Sequence, residues 1–263
     1  MTHWQKLGRA YEHLEIVERT IERFLKMKPC RLVGKYDREP PFENGEEVLY
    51  RFTMDAPAKP PSELSFQIGD FLTNLRATLD HLVFAIAIRH TNGDLGKWER
   101  DVSFPIYHDA RRFAAKRGKL VNVLPLDVLA LIEKLQPYYG RRTVDKRHAL
   151  FALEDLVNRD KHRTILVVSA FAVGNYFVHV EGGEANGSIG MYGTRAYDHG
   201  AEVVAPIITA QSPEPKVRMD PEPTPDVAFG EIGPLSGKAV RHLLYVMANH
   251  VRNVVFPGLE GFL

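Results

Sequence analysis

The stretch NLRATLDHL, residues 74–82, contains the side chains with the clearest capacity for chemistry in this chain. Arg76 can hold the negative charge of a phosphate, and His81 can transfer a proton near neutral pH. Asp80 lies four residues after Arg76, so the two can also pair along one face of a helix. The stretch therefore supports two interpretations: a reactive Arg–His pair, or a structural Arg–Asp pair beside a hydrogen-bonded core histidine.

The Arg76-x4-His81 spacing resembles the catalytic signature of the HEPN superfamily, helical-bundle proteins that include metal-independent ribonucleases. The resemblance implies that Arg76 and His81 would act together on an RNA phosphodiester. It also implies a homodimer, because the composite sites of that superfamily form where two copies meet.

A broader resemblance covers residues 63–165 and rests on four stretches: LRATLDHL, FPI, IEKLQPYYG and LVNRDKHR. Together they are similar to a widespread set of bacterial hypothetical proteins of unassigned activity. This resemblance implies that the helices carrying the first and last stretches form one unit, and it implies no reaction.

Four residues near the end of a helix predicted over 144–163 form a second polar cluster: Asp155, Asn158, Asp160 and His162. Histidine and carboxylate side chains suit zinc or iron, but Asp155 and His162 lie two turns, about 10.5 Å, apart along the helix. A metal site would need Asp80 or His81 from the neighbouring helix, and we expect no metal or other cofactor. Asp160 projects at the angle of the apolar face, so it is expected to need a partner such as Arg76 or a backbone N–H.

Apolar residues at spacings of three and four predict the helices that would position these side chains. The clearest is residues 63–90, whose two apolar faces are typical of a central helix covered on both sides. The other predicted helices are 3–27, one that begins near 111, one ended by Pro137, and the segments 144–163 and 235–255.

Two regions read as β-structure. The alternating stretches CRLVGKYD and EEVLYRFTMDA, within residues 30–56, predict an N-terminal β-hairpin. Residues 164–232 are rich in β-branched and aromatic residues and predict an antiparallel meander. The five prolines of 211–226 place that segment in a loop or at a sheet edge.

The layout of helices, then strands, then a helix predicts an α+β fold with a helical-bundle core of about five to six helices. We expect one domain over residues 1–263, with the hairpin inserted in a helical core over 1–165. The C-terminal helix over 235–255 is expected to pack back on that core.

Composition restricts the function classes. The 34 basic and 33 acidic residues leave a formal net charge of +1, so nucleic-acid binding would need a local basic patch. The single cysteine, Cys30, excludes an internal disulfide, and no apolar run is long enough to span a bilayer, so we expect a cytoplasmic protein without a membrane partner.

The residues favour a non-catalytic binding or interaction protein with a buried Arg–Asp–His network, whose partner is a protein or RNA. The alternative is a HEPN-like, metal-independent endoribonuclease that uses Arg76 and His81. A metal-dependent hydrolase ranks below both, because no three ligands are spaced as a local motif.

Overall fold

A computed structural model describes residues 2–139, 148–171, 174–185, 189–191, 195–196, 199–220, 222, 224–230 and 233–263. Seven helices and a set of antiparallel sheets lie within these residues, which confirms the α+β class and the N-terminal hairpin. The chain folds as two compact units: the first contains Met1–Glu18, Ser65–Ile165 and Arg241–Leu263, and the second contains Arg19–Leu64 and Leu166–Val240. The expectation of a single domain stays a prediction.

The helices follow the apolar periodicity closely. They are α1 (His3–Lys26), α2 (Glu63–His90), α3 (Ala110–Leu120), α4 (Leu126–Lys134), α5 (Ala149–His162), α6 (Val240–His250) and α7 (Phe256–Leu259). A wider π-helical turn over Val251–Val255 separates α6 from α7, so the C-terminal helix is interrupted. The predicted start of α5 at 144–147 lies outside the described residues.

Helix α2 is central to the first unit. One stripe along it is fully buried, with exposed fractions of 0–1%: Ile68, Leu72, Leu75, Leu79, Leu82 and Ile86. The opposite apolar face is only partly covered, because Phe66 is 69% exposed and Phe84 and Ile88 are exposed by 36% and 37%. The two-sided cover that the sequence predicts is therefore incomplete on the side that carries His81.

By length and composition alone, α2 could cross a membrane, since its mean hydropathy is 1.3 over 18 residues. Half of that window is buried inside the protein, as it is in the core helices of soluble proteins. Arg76 and Asp80 also lie within this helix and are paired to each other. The cytoplasmic location stays a prediction.

The second unit is built from short antiparallel strands. They are β1 (Arg31–Tyr36), β2 (Glu47–Asp55), β3 (Val167–Phe171), β4 (Gly174–Glu181), β5 (Gly183–Ala185), β6 (Ile189–Met191), β7 (Arg195–Ala196), β8 (Glu202–Val204), β9 (Ile207–Ala210), β10 (Lys216–Asp220) and β11 (Pro225–Phe229). One sheet has the order β1-β2-β9-β5 with β8 also paired to β2, and the two others have the orders β10-β4-β6 and β11-β3-β7.

The strands of the β-rich region are antiparallel, but their order is not the sequential one of a meander. The long hairpin strand β2 offers its second edge to β8 and β9, which draws these strands away from their sequence neighbours. The proline-rich segment contributes β10 and β11, and both lie at sheet edges. Pro225 is the first residue of β11, where its missing N–H costs little.

Candidate functional site

Arg76 is held by three partners within the first unit. Its Nη2 donates to the carbonyl oxygen of Phe104 at 2.6 Å and lies 3.3 Å from Oδ1 of Asp80. Its Nη1 is enclosed and lies 3.7 Å from Oε2 of Glu154 on α5. The Arg76 side chain is 19% exposed, so most of the guanidinium faces the protein.

Asp80 also binds the backbone of Phe104. Its Oδ1 accepts the backbone N–H of Phe104 at 2.9 Å, so Arg76 and Asp80 bind both polar backbone groups of one residue. Burial raises the pKa of Asp80, and the charge of Glu154 adds to the increase, while Arg76 and the Phe104 N–H oppose it. The Phe104 ring is fully buried, so these hydrogen bonds with Arg76 and Asp80 hold an irregular segment inside the apolar core.

Gln136, two residues beyond the end of α4, also binds the backbone of this segment. Its side-chain amide accepts the N–H of Tyr107 at 2.9 Å and donates to the carbonyl oxygens of Pro105 and Ile132 at 2.8 and 3.0 Å. The residue is 2% exposed, so all of these contacts are shielded from water. The segment from Phe104 to Tyr107 therefore depends on side chains rather than on a strand or helix for its backbone hydrogen bonds.

His81 lies outside this network. It is half-buried and shares its helix face with Ala77, Phe84 and Ile88, as the periodicity predicts. Among the described residues it has no hydrogen-bond partner, and its interaction with Asp80 is purely electrostatic. Glu154, rather than a histidine, is the third member of the Arg–Asp network, a role that sequence reasoning missed.

The α5 residues of the predicted second cluster are not brought together. Asp155 pairs with Arg159 at 2.9 Å, and Asn158 donates to Oε1 of Glu154 at 3.1 Å. His162 is exposed at the end of the helix. These are contacts along one helix, and only Asn158 reaches the Arg76 network, through Glu154.

Asp160 packs against α2, and no positive side chain of the described residues pairs with it. Its oxygens lie so close to Gly69 that a β-carbon built there would be 2.6 Å from Oδ1. Burial raises the pKa of Asp160, and the negative charge of Asp70 raises it further. The expected partner, Arg76, is instead bound to Asp80 and Glu154.

We expect Asp160→Asn to increase the free energy of unfolding at neutral pH, by less than about 1 kcal/mol because the site is partly solvated. A carboxyl group whose pKa is raised by folding destabilises the protein above that pKa. The gain should therefore shrink as pH falls through the raised pKa towards the ordinary value of Asp. Urea unfolding of wild type and variant at neutral and acidic pH measures it, and a loss of stability at pH 7 would contradict this account.

The structure offers little to a metal ion. No three His, Cys, Asp or Glu side chains cluster in the parts of the chain that the structure describes. The thiol of Cys30 is buried, and burial raises its pKa to about 11, so it is protonated at neutral pH.

A groove in the second unit, which sequence reasoning did not identify, lies between β1 and β10. It consists of two adjoining cavities of about 570 Å³ and about 390 Å³. Both are lined by Gly34, Tyr50 and Val217, so they form one continuous depression, the β1–β10 groove. Its size suits a ligand of several residues or rings.

Aromatic rings form one wall of the β1–β10 groove. Tyr36 packs edge-to-face against Phe42 and Tyr50, with 4.7 Å between ring centroids in each pair, and Tyr50 packs against Phe52 at 5.0 Å. Burial raises the pKa of Tyr36 to about 12, with a smaller contribution from Tyr50. The alternating aromatic residues of the two hairpin strands were the only sequence signal for this wall.

The two ends of the β1–β10 groove differ in charge. Lys35 and Lys216 line the larger cavity, and neither has an ion-pair partner in the described ranges. Asp220 and Glu222 line the smaller cavity together with Arg218, which lies 4.0 Å from Asp220, so one negative charge is left in excess there. The groove is therefore basic at one end and acidic at the other.

Comparisons with protein-family models, with curated proteins and with solved structures found no match for this chain. The features of the described chain that bear on function are the Arg76 network of the first unit and the β1–β10 groove of the second.

Proposed function

We propose that this protein is a cytoplasmic, non-catalytic binding protein whose first unit is a scaffold and whose β-rich unit holds the partner. The observation that carries the proposal is the enclosure of the Arg76 guanidinium: Nη2 donates to Phe104 and lies beside Asp80, and Nη1, which has no hydrogen-bond partner in the described chain, lies 3.7 Å from Glu154. The most reactive stretch of the sequence is thus used to hold the fold.

A phosphate-binding arginine needs free N–H donors that point at the ligand. If Arg76 turned outward to a phosphate, the Phe104 carbonyl would lose its side-chain donor, and the Asp80 and Glu154 carboxylates would lose the positive charge beside them. Glu154 would also repel the phosphate. The same three contacts that support a scaffold role therefore argue against a role in RNA cleavage.

A HEPN-like ribonuclease is the second candidate, and one observation favours it. His81 is half-buried without a hydrogen bond to the described residues, so its ring nitrogens remain free for proton transfer. It also lies on the partly exposed apolar face of α2, where a second copy would bring two such histidines together. This candidate needs a phosphate-binding group other than Arg76.

Cleavage of unstructured RNA in the presence of EDTA separates the two candidates. We expect wild type, His81→Ala and the matched variant His90→Ala, which removes an exposed histidine from the end of α2, to leave the RNA intact. RNA cleavage by wild type and His90→Ala but not by His81→Ala would overturn the binding proposal in favour of the ribonuclease.

A further inference from the structure

Within the described residues, strand β1 has an edge whose backbone hydrogen-bonding groups pair with no other strand. The N–H of Asp37 donates to the carbonyl of Leu49 at 3.0 Å, and the strand register continues this pairing through β1 and β2. In an antiparallel ladder the hydrogen-bonded pairs alternate, so Lys35 and Val33 bond to β2. The N–H and C=O groups of Leu32, Gly34 and Tyr36 therefore point away from β2.

Those three residues line the β1–β10 groove. Gly34 and Tyr36 line the larger cavity, and Leu32 and Gly34 line the smaller one. Strand β1 is the end member of its sheet, and β10 is the end member of the facing sheet. The groove is thus bounded by two strand edges, a geometry that admits a single extended segment.

Gly34 makes room for the Tyr50 ring on this strand. The Tyr50 ring crosses the strand at Gly34, where a β-carbon would be 2.3 Å from the Tyr50 hydroxyl oxygen. A glycine inside a strand often marks a point where another chain or ring approaches closely. At the end of the groove, the hydroxyl of Tyr36 donates to the carbonyl of Pro215 at 2.8 Å and closes it.

The charged side chains beside the groove indicate the charge of the partner. Lys35 is exposed in the middle of the edge, and Lys216 lies across the groove from it, both without an ion pair in the described chain. Arg38, close by, is already paired with Glu46 and lies over the Phe42 ring. Two free ammonium groups at the larger cavity complement carboxylates at that end of a bound chain, whereas Asp220 and Glu222 disfavour carboxylates at the Leu32 end.

A second copy of β1 is a poor occupant of this groove. Strand β1 carries Arg31 and Lys35 and has no acidic residue. Arg31 is paired with Asp55, so two copies placed edge to edge would bring together two unpaired Lys35 ammonium groups, which opposes the pairing. Lysine on an edge strand is a common protection against such self-association.

We propose that the β1–β10 groove binds an extended, acidic peptide segment of a protein partner, which adds as a strand to the free edge of β1. The peptide backbone pairs with Leu32, Gly34 and Tyr36, and its carboxylates lie at Lys35 and Lys216. The proposal rests on the proposed function and names the class of partner. Strand β1 has six residues, which sets the length of the recognised segment.

The probe is a fluorescein-labelled peptide mixture, T-x-E-x-E-x-T, in which x is Val, Ile, Leu or Tyr in equal parts. Fluorescence anisotropy with the full chain should show saturable binding at least tenfold tighter than for the same mixture with Lys in place of Glu. Two series of peptides would each carry methyl groups on one set of alternate backbone nitrogens. The series that blocks the N–H groups facing β1 should not bind, because strand addition uses those N–H groups.

Charge reversal locates the site. Lys35→Glu should weaken binding of the acidic mixture at least tenfold and favour the lysine mixture. Lys59 is an exposed lysine of the same unit outside the groove, and Lys59→Glu should leave binding unchanged.

Absence of binding by wild type would overturn the inference. Binding that survives both series of N-methylated peptides, or that survives Lys35→Glu, would also overturn it. A dimer of this chain that excludes the peptide would assign the groove to a second copy. The RNA assay is independent of these results, so the two failures are distinguishable.

Discussion

Replacing Arg76 with Met should lower the free energy of unfolding by about 2–3 kcal/mol. Removing one partner of a buried ion pair costs about 3–5 kcal/mol, and partial exposure of this site reduces the effect. The variant leaves the Phe104 carbonyl without its side-chain donor and the Asp80 and Glu154 carboxylates without their positive partner. Urea unfolding at neutral pH measures the loss.

The control for this prediction is Arg112→Met. Arg112 is 79% exposed and pairs with Asp109 three residues earlier on the surface, so its loss should cost less than about 0.5 kcal/mol. Arg76→Lys should fall between wild type and Arg76→Met, because an ammonium group cannot span three acceptors as a guanidinium does. Equal stability of Arg76→Met and wild type would contradict the scaffold role.

Replacing Gln136 with Leu should lower the free energy of unfolding by about 2–4 kcal/mol. Each buried polar group left without a partner costs about 1–3 kcal/mol, and this change affects the Tyr107 N–H and the Pro105 carbonyl. The Ile132 carbonyl keeps its own helix environment, so its share is smaller. Thermal and urea unfolding should both report the loss.

Gln211→Leu is the matched control for Gln136. Gln211 is exposed, and its side chain makes one hydrogen bond, to Glu184 at 2.9 Å. We expect its replacement to change stability by less than about 0.5 kcal/mol. If both glutamine variants were equally stable, the Phe104–Tyr107 segment would not depend on its hydrogen bonds to the Gln136 side chain.

These two predictions give a physical reading of the stretches LRATLDHL, FPI and IEKLQPYYG. Arg76 and Asp80 from the first and Gln136 from the third bind the backbone of the second, which has no strand or helix partner of its own. Irregular backbone inside a core needs such side chains to satisfy its polar groups.

Local periodicity was sufficient to predict much of the fold. The helix over 63–90 coincides with α2, and each predicted hairpin strand extends one residue beyond β1 or β2 at both ends. The four-residue spacing of Arg76 and Asp80 also anticipated their pairing, because both atoms lie on one helix face.

Contacts between distant parts of the chain could not be predicted in this way. The partners Phe104 and Glu154 of Arg76 depend on how α2, α5 and an irregular segment pack together. Asp160 meets Gly69 and Asp70 rather than Arg76 for the same reason. The β1–β10 groove requires two strand edges from different sheets, and a single sequence gives no signal for that encounter.

The central claim is that the Arg76 guanidinium is already bound within the fold, and a double-mutant cycle tests it most directly. Arg76→Met, Asp80→Asn and the double variant would be compared by urea unfolding, since Asn keeps an acceptor for the Phe104 N–H. We predict a coupling free energy of at least about 1 kcal/mol between the two positions. Additive effects would show that Arg76 and Asp80 act independently in solution, and Arg76 would again be free to bind a phosphate.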